Sequence, residues 1–192
     1  MGRLIVSAQV TVDGVMDQLE GCFDPEDESA HHGLEQLRAA DALVLGRETY
    51  EFLSEFWPPA EGPYAELINP IPKYVASRTL REPLTWNARL LGADVAAAVA
   101  ALKAEAPGQL ISYGCGELAN DLARRGLVDE VRFWLHPVVW GDGVRAFHAG
   151  EMPVPMRLIG ARTFPSDVVQ LSYQPLRALA WQASDGGSRF AR

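Results

Sequence analysis

Three times in this chain an apolar, strand-like run stops at a turn suited to phosphate. Leu43-Val44-Leu45 runs into Gly46-Arg47-Glu48-Thr49, Tyr74-Val75-Ala76 into Ser77-Arg78-Thr79, and Leu110-Ile111-Ser112-Tyr113 into Gly114-Cys115-Gly116-Glu117-Leu118. Glycine lets a backbone approach a ligand closely, hydroxyl and guanidinium groups bind phosphate, and a following helix adds a positive N-terminal end. Each turn taken alone also reads as a plain strand-to-helix joint or a polar loop. Three of them at neighbouring strand ends point to a ligand with several phosphates, and a dinucleotide is the candidate.

The pattern between these turns alternates strand and helix up to about residue 125. Leu4 to Val12 reads as a first strand turned by Asp13-Gly14, and a helix is expected from Asp27–Ser29 to Ala40. Ala42 to Leu45 reads as a strand and Arg47 to Phe56 as a helix stopped by Pro58-Pro59. The proline-rich stretch from Trp57 to Pro72 is expected to be a long surface loop, followed by a strand at Lys73–Ser77 and another at Thr85–Leu91. Asp94 is placed to cap an alanine-rich helix reaching Glu105, with Val95, Val99 and Leu102 at helical spacing. Gln109–Tyr113 (strand), Glu117–Arg125 (helix) and Glu130–Val139 (strand) follow. An antiparallel pair, Met156–Thr163 with Val168–Gln174, closes the pattern. The order predicts an α/β sandwich with a mixed sheet, parallel first and antiparallel at its C-terminal edge. One domain is expected over residues 1–175, with a partly disordered tail over 176–192.

A net charge of −8 argues against a general nucleic-acid binder, which needs a basic face. Apolar runs are too short to span a membrane, and the N-terminus runs directly into a strand. Cys22 and Cys115 lie far apart and form no C-x-x-C pair, which fits two idle thiols. A cytoplasmic protein is expected. His31 and His32 are adjacent and point to different helix faces, so they make no joint metal site, and no other Cys/His cluster is present in the sequence.

The segment Gly114 to Ala119 matches G-x-G-x-x-A between a strand and a helix. The acid of a dinucleotide fingerprint is then due near Leu135, where Phe133-Trp134-Leu135-His136 offers none. Pyrophosphate binding is retained and the Rossmann inference dropped. Asp24, Asp27 and Glu28 form an acidic cluster leading into the first helix. Solvated acids are common there because the helix dipole favours them, but a reductase would use one as proton donor if burial raised its pKa. Glu28 and then Asp24 are the candidates.

Together these pieces resemble the dihydrofolate reductase-like superfamily, and more closely the reductase domain of the bifunctional riboflavin-biosynthesis deaminase/reductase. The matching segments are Val12-Asp13-Gly14, Leu45 to Tyr50, Val75 to Thr79, Gly114 to Leu118 and Leu127 to Val131, in family order, over about residues 2 to 175. The resemblance implies a three-layer sandwich, its central mixed sheet flanked by helices, with NADPH laid across the strand ends. It implies that Gly46, Arg47 and Thr49 contact the cofactor phosphates, and that Ser77, Arg78 and Thr79 hold the adenosine end and its 2′-phosphate. Gly114, Cys115, Gly116, Glu117 and Leu118 would wrap the pyrophosphate and ribose. The implied reaction is hydride transfer to a small heterocycle, a ribosylamino-pyrimidine or a pterin-like ring, in a homodimer. Cys115 stands where relatives often have Gly or Ser, and no deaminase zinc motif is present. A non-catalytic NADP(H)-binding sensor or interaction module of the same fold is the alternative.

Overall fold

A computed structural model of the chain describes residues 2–17, 26–146 and 154–176. Strand β1 (Arg3–Thr11) is buried along nearly its whole length, on both faces. A strand without a polar face needs cover on both sides, which places it inside a parallel sheet. It pairs in parallel with β5 (Gln109–Tyr113), Ile5 against Ile111, and with β6 (Glu130–His136), Ala8 against Phe133. Beyond β5 lie β2 (Ala40–Gly46), β3 (Lys73–Ala76) and β4 (Ala88–Leu90), all parallel. Beyond β6 lie β8 (Val169–Pro175) and the edge strand β7 (Met156–Thr163), both antiparallel. The strand order is β4-β3-β2-β5-β1-β6-β8-β7.

Side-chain alternation along these strands makes two cores, one per face of the sheet. Leu4, Val6, Val44 and Leu110 pack with Val99 of α4 (Val95–Glu105) and Leu122 of α5 (Glu117–Arg124). Leu43, Leu45, Val75 and Ile111 pack with Leu37 of α1 (Glu28–Arg38), Tyr50 of α2 (Arg47–Phe56) and Ile68 of α3 (Pro63–Ile68). Leu45 is fully buried, and its replacement by Ala would cost about 2–5 kcal/mol. The result is the three-layer α/β sandwich expected from the sequence.

Several boundaries differ. The stretch 57–72 is not a continuous loop: it holds α3, whose Ala65 and Ile68 are buried. Pro63 stands in the first turn of that helix, where its missing N–H has no intrahelical partner to lose. α1 ends at Arg38, so that Ala40 already belongs to β2. β6 stops at His136 instead of reaching Val139, because Pro137 carries no N–H for the ladder. Only Ala88–Leu90 of the Thr85–Leu91 segment pairs as a strand. Asp24, Cys22 and the tail from residue 177 lie outside the described residues.

Candidate cofactor site and adjoining cavity

β2, β3 and β5 are parallel neighbours with β2 in the middle, so the three turns that follow them fall on one edge of the sheet. Gly46 is in register with Ala76, which brings the first two turns side by side. The third is tied to β1, where the Gly114 N–H donates to the Ser7 carbonyl at 2.9 Å. Gly114 has φ +85°, a conformation that favours glycine, and a Cβ there would lie 3.8 Å from Thr49 Oγ1. The turns after β2 and β5 therefore touch.

The helices that start at these turns differ at their N-termini from α1 and α4, and share a glycine N-cap with the short helix α3. Asp27 caps α1 by accepting the Ser29 N–H at 2.9 Å, and Asp94 caps α4 by accepting the Ala97 N–H at 3.0 Å. The N-caps of α2 and α5 are Gly46 and Gly116, with no side-chain cap. A Cβ on either glycine would meet nothing within 4 Å, so the space in front of both helix ends is open. Two adjacent helix ends thus leave first-turn N–H groups without a capping side chain, a geometry that suits the oxygens of a pyrophosphate. Glu48 and Glu117 occupy the first turns and are exposed.

The remaining candidate side chains differ in what they can offer. The Arg47 guanidinium is engaged by Glu51 at 2.8 Å and Glu48 at 2.9 Å, and it would have to leave them to reach a phosphate. Cys115 and Leu118 turn their side chains into the core, so these two can serve a ligand only through backbone. In the turn after β3, Ser77 Oγ accepts the N–H groups of Thr79 (3.2 Å) and Leu80 (3.0 Å). Arg81 closes this loop from outside, its Nη1 donating to the carbonyls of Arg78, Thr79 and Leu80. Arg81 escaped the sequence reading, although it is a second cation close behind Arg78. Arg78 is exposed, and its guanidinium has no acceptor among the described residues.

A cavity of about 260 Å³ opens beside this edge, between β1, β6, α1 and α3. Gln9, Asp27, Tyr64, Trp134, His136 and Ser166 line it. His136 Nε2 and Gln9 Oε1 lie 2.7 Å apart, and the Trp134 indole N–H donates to Ser7 Oγ at 3.1 Å. Asp27 accepts from the N–H and hydroxyl of Ser29 and from the hydroxyl of Ser166 at 2.9 Å. Chiefly the Ser29 hydroxyl, with Ser166 in support, holds this carboxyl below its usual range. Glu28 is placed otherwise than a proton donor requires. Its side chain is 53% exposed and paired with Arg162 at 2.7 Å, so the burial invoked for that role is absent. Of the two described acids of the cluster, it is Asp27 that reaches the cavity.

The model of the RibD C-terminal domain family matches residues 3–170. The chain belongs to this family. Among curated relatives it is similar to YyaP of Bacillus subtilis (strain 168), an uncharacterized protein, at 29% identity over 89% of this chain and 94% of the other. Among solved structures it is similar to a candidate riboflavin biosynthesis protein of Shewanella sp. PV-4. The TM-score is 0.72 at 23% identity, over 91% of this chain and 99% of that one. A pyrimidine reductase-like protein of Corynebacterium diphtheriae gives a TM-score of 0.65 at 15% identity, over 91% and 92%. At such identities the two structures establish a shared fold. Among the described residues, no helix is long and apolar enough to cross a membrane.

Proposed function

We propose that this RibD C-terminal domain protein is an NADPH-dependent reductase of a small heterocycle, either a ribosylamino-pyrimidine or a pterin-like ring. The observation that carries the reading is the pair of uncapped, glycine-headed helices on adjacent strands, with Ser77 and Arg78 next along the same sheet edge. That sequence of groups suits a pyrophosphate followed by a ribose 2′-phosphate. The open space before Gly46 and Gly116 fits the approach of such a ligand to backbone.

NADPH, when bound, supplies the hydride. Gly46, Thr49, Gly114 and Gly116 would hold its pyrophosphate, and Ser77, Arg78 and Thr79 its phosphorylated adenosine. Arg78 would supply the charge that distinguishes NADPH from NADH. The cavity between Trp134 and Tyr64 would take the substrate ring beside the cofactor, and Asp27 would accept hydrogen bonds from ring N–H or amino groups. The riboflavin and pyrimidine reductase descriptions carried by the two similar structures agree with this assignment.

A thermal melt with NADPH, with NADH as control, tests the cofactor. At 100-fold over Kd, binding adds roughly 2.7 kcal/mol, a shift on the order of 5–10 °C for a domain of this size. A shift with NADPH and little with NADH is the expected result. Loss of NADPH absorbance in the presence of 5-amino-6-(5-phosphoribosylamino)uracil or dihydropterin then separates a reductase from a module that only binds the cofactor. No shift with either nucleotide, in folded protein, rules the reading out.

A further inference from the structure

We propose that Tyr113 holds the nicotinamide end of the cofactor by donating its hydroxyl proton to the carboxamide, with Tyr64 orienting that hydroxyl from across the cavity wall. This rests on the cofactor reading above. With the 2′-phosphate at β3 and the pyrophosphate at β2 and β5, the strand order leaves one direction for the rest of the molecule, past β5 toward β1. Tyr113 is the last residue of β5, in register with Ser7 of β1 and directly before Gly114. Its hydroxyl lies 3.0 Å from that of Tyr64, and Tyr64 also lines the cavity. The two tyrosines therefore stand between the phosphate-binding edge and the cavity, where a hydride would have to pass.

Counting protons identifies what the pair lacks. Two hydroxyls carry two protons, and one of these is used in the bond between them. Neither tyrosine makes another side-chain hydrogen bond among the described residues. Burial pushes both phenols above their usual range, Tyr113 well above it, so both keep their protons. One donor at this half-buried boundary is thus left without a protein acceptor and is open to a ligand or to water. The Tyr64 ring is held by stacking on Trp57, centroids 4.9 Å apart and planes 21° apart, and either phenol can donate in its contact with Tyr113. With Tyr64 as the donor, the Tyr113 proton remains for the ligand.

The test compares two ligands by calorimetry: NADPH, and 2′-phospho-ADP-ribose, which is the same molecule without nicotinamide. Tyr113→Phe removes only an oxygen. It is expected to weaken NADPH by about tenfold, the scale of one hydrogen bond, and to leave 2′-phospho-ADP-ribose unchanged. Tyr64→Phe is expected to give a smaller loss with the same selectivity. Unchanged NADPH affinity in Tyr113→Phe, equal weakening of both ligands, or the larger loss in Tyr64→Phe would each overturn the assignment while leaving the cofactor reading intact. A wild-type protein that binds 2′-phospho-ADP-ribose and NADPH equally well would overturn it too. Failure of the wild type to bind NADPH at all would remove the cofactor reading, and this inference with it.

Discussion

The Asp13 carboxylate, just after β1, receives the Gly141 N–H at 2.8 Å and the Trp140 N–H at 3.1 Å, and so ties the loop after β6 to the loop after β1. Thr11 Oγ1 donates to the same carboxylate at 2.6 Å, and Arg145 Nη1 returns a hydrogen bond to the Asp13 carbonyl at 2.6 Å. The Thr11 hydroxyl first, then the two backbone donors, hold the Asp13 carboxyl far below its usual range. A carboxyl depressed in the folded state stabilises it above the unfolded pKa, and that contribution is lost as the pH falls through the folded pKa. Asp13→Ala should therefore loosen the 140–146 segment without unfolding the sheet. Amide exchange at Trp140 and Gly141 should speed up, while exchange within β1 and β6 should stay slow. Unchanged exchange at Gly141 would mean that the loop is held by its other contacts.

Cys115 lies within the turn after β5, yet its side chain is only 2% exposed. Burial pushes the thiol from an ordinary value of 9.0 to about 12. The folded state thus keeps a proton that the unfolded chain releases. Between about pH 9 and 12 the folded state should lose stability at about 1.4 kcal/mol per pH unit relative to a Cys115→Ala protein. At pH 8, alkylation at Cys115, followed by peptide mass spectrometry, should proceed only through unfolding. Rapid labelling of Cys115 in folded protein would show that the turn opens.

The two arginines of the proposed cofactor edge should differ in their effects. Arg78 has no competing acceptor among the described residues, whereas Arg47 is shared between Glu48 and Glu51. A charged hydrogen bond contributes about 1.5–3 kcal/mol, so Arg78→Ala should weaken NADPH by about 10- to 100-fold and NADH hardly at all. Arg47→Ala should cost less, because the exposed ion pairs it leaves are worth only about 0–1 kcal/mol each and already compete with the ligand. Glu51→Gln should then tighten NADPH slightly by freeing Arg47. Titration of the three variants with both nucleotides checks the order, and equal losses of NADPH and NADH in Arg78→Ala would place the 2′-phosphate elsewhere.

The features most legible in the sequence were those with a local cause. The bounds of α2 follow from Gly46 before it and Pro58-Pro59 after it, and β5 is bounded by a Pro-Gly pair and a Gly-rich turn. The adjacency of the three turns was legible because β-α alternation forces parallel strands whose ends share an edge. The cavity was not. Gln9, Tyr64, His136 and Ser166 come from distant parts of the chain and meet only because β6 adds beside β1 and the turn between β7 and β8 folds back. α3 was hidden because Pro63 reads as a breaker unless its place in the first turn is known. That Asp27, and not Glu28, lines the cavity turns on a single position at the start of α1, which sets one carboxylate toward the cavity and the next toward Arg162. Lys73 carried no signal at all, since a lysine opening a short strand looks like solvent-facing charge.

Lys73 is fully buried. Its Nζ donates to the carbonyls of Ile68 at 2.5 Å and Asn69 at 2.7 Å, and it lies 4.0 Å from the centre of the Trp86 ring. The ammonium thus satisfies the C-terminal carbonyls of α3 and ties that helix to β3. Lys73→Ala would remove these bonds and leave a cavity, at a loss of about 2–5 kcal/mol. Burial pulls the Lys73 pKa from 10.5 down to about 8. Between those values the unfolded chain holds more protons than the folded one, so stability rises with pH across the window, and below pH 8 the charge is carried in both states. Lys73→Met keeps an apolar stem of similar length and has nothing to titrate. Urea melts of both proteins at intervals from pH 7 to 10.5 should show the wild type gaining on Lys73→Met above pH 8, and a flat difference would show that the buried ammonium carries no penalty.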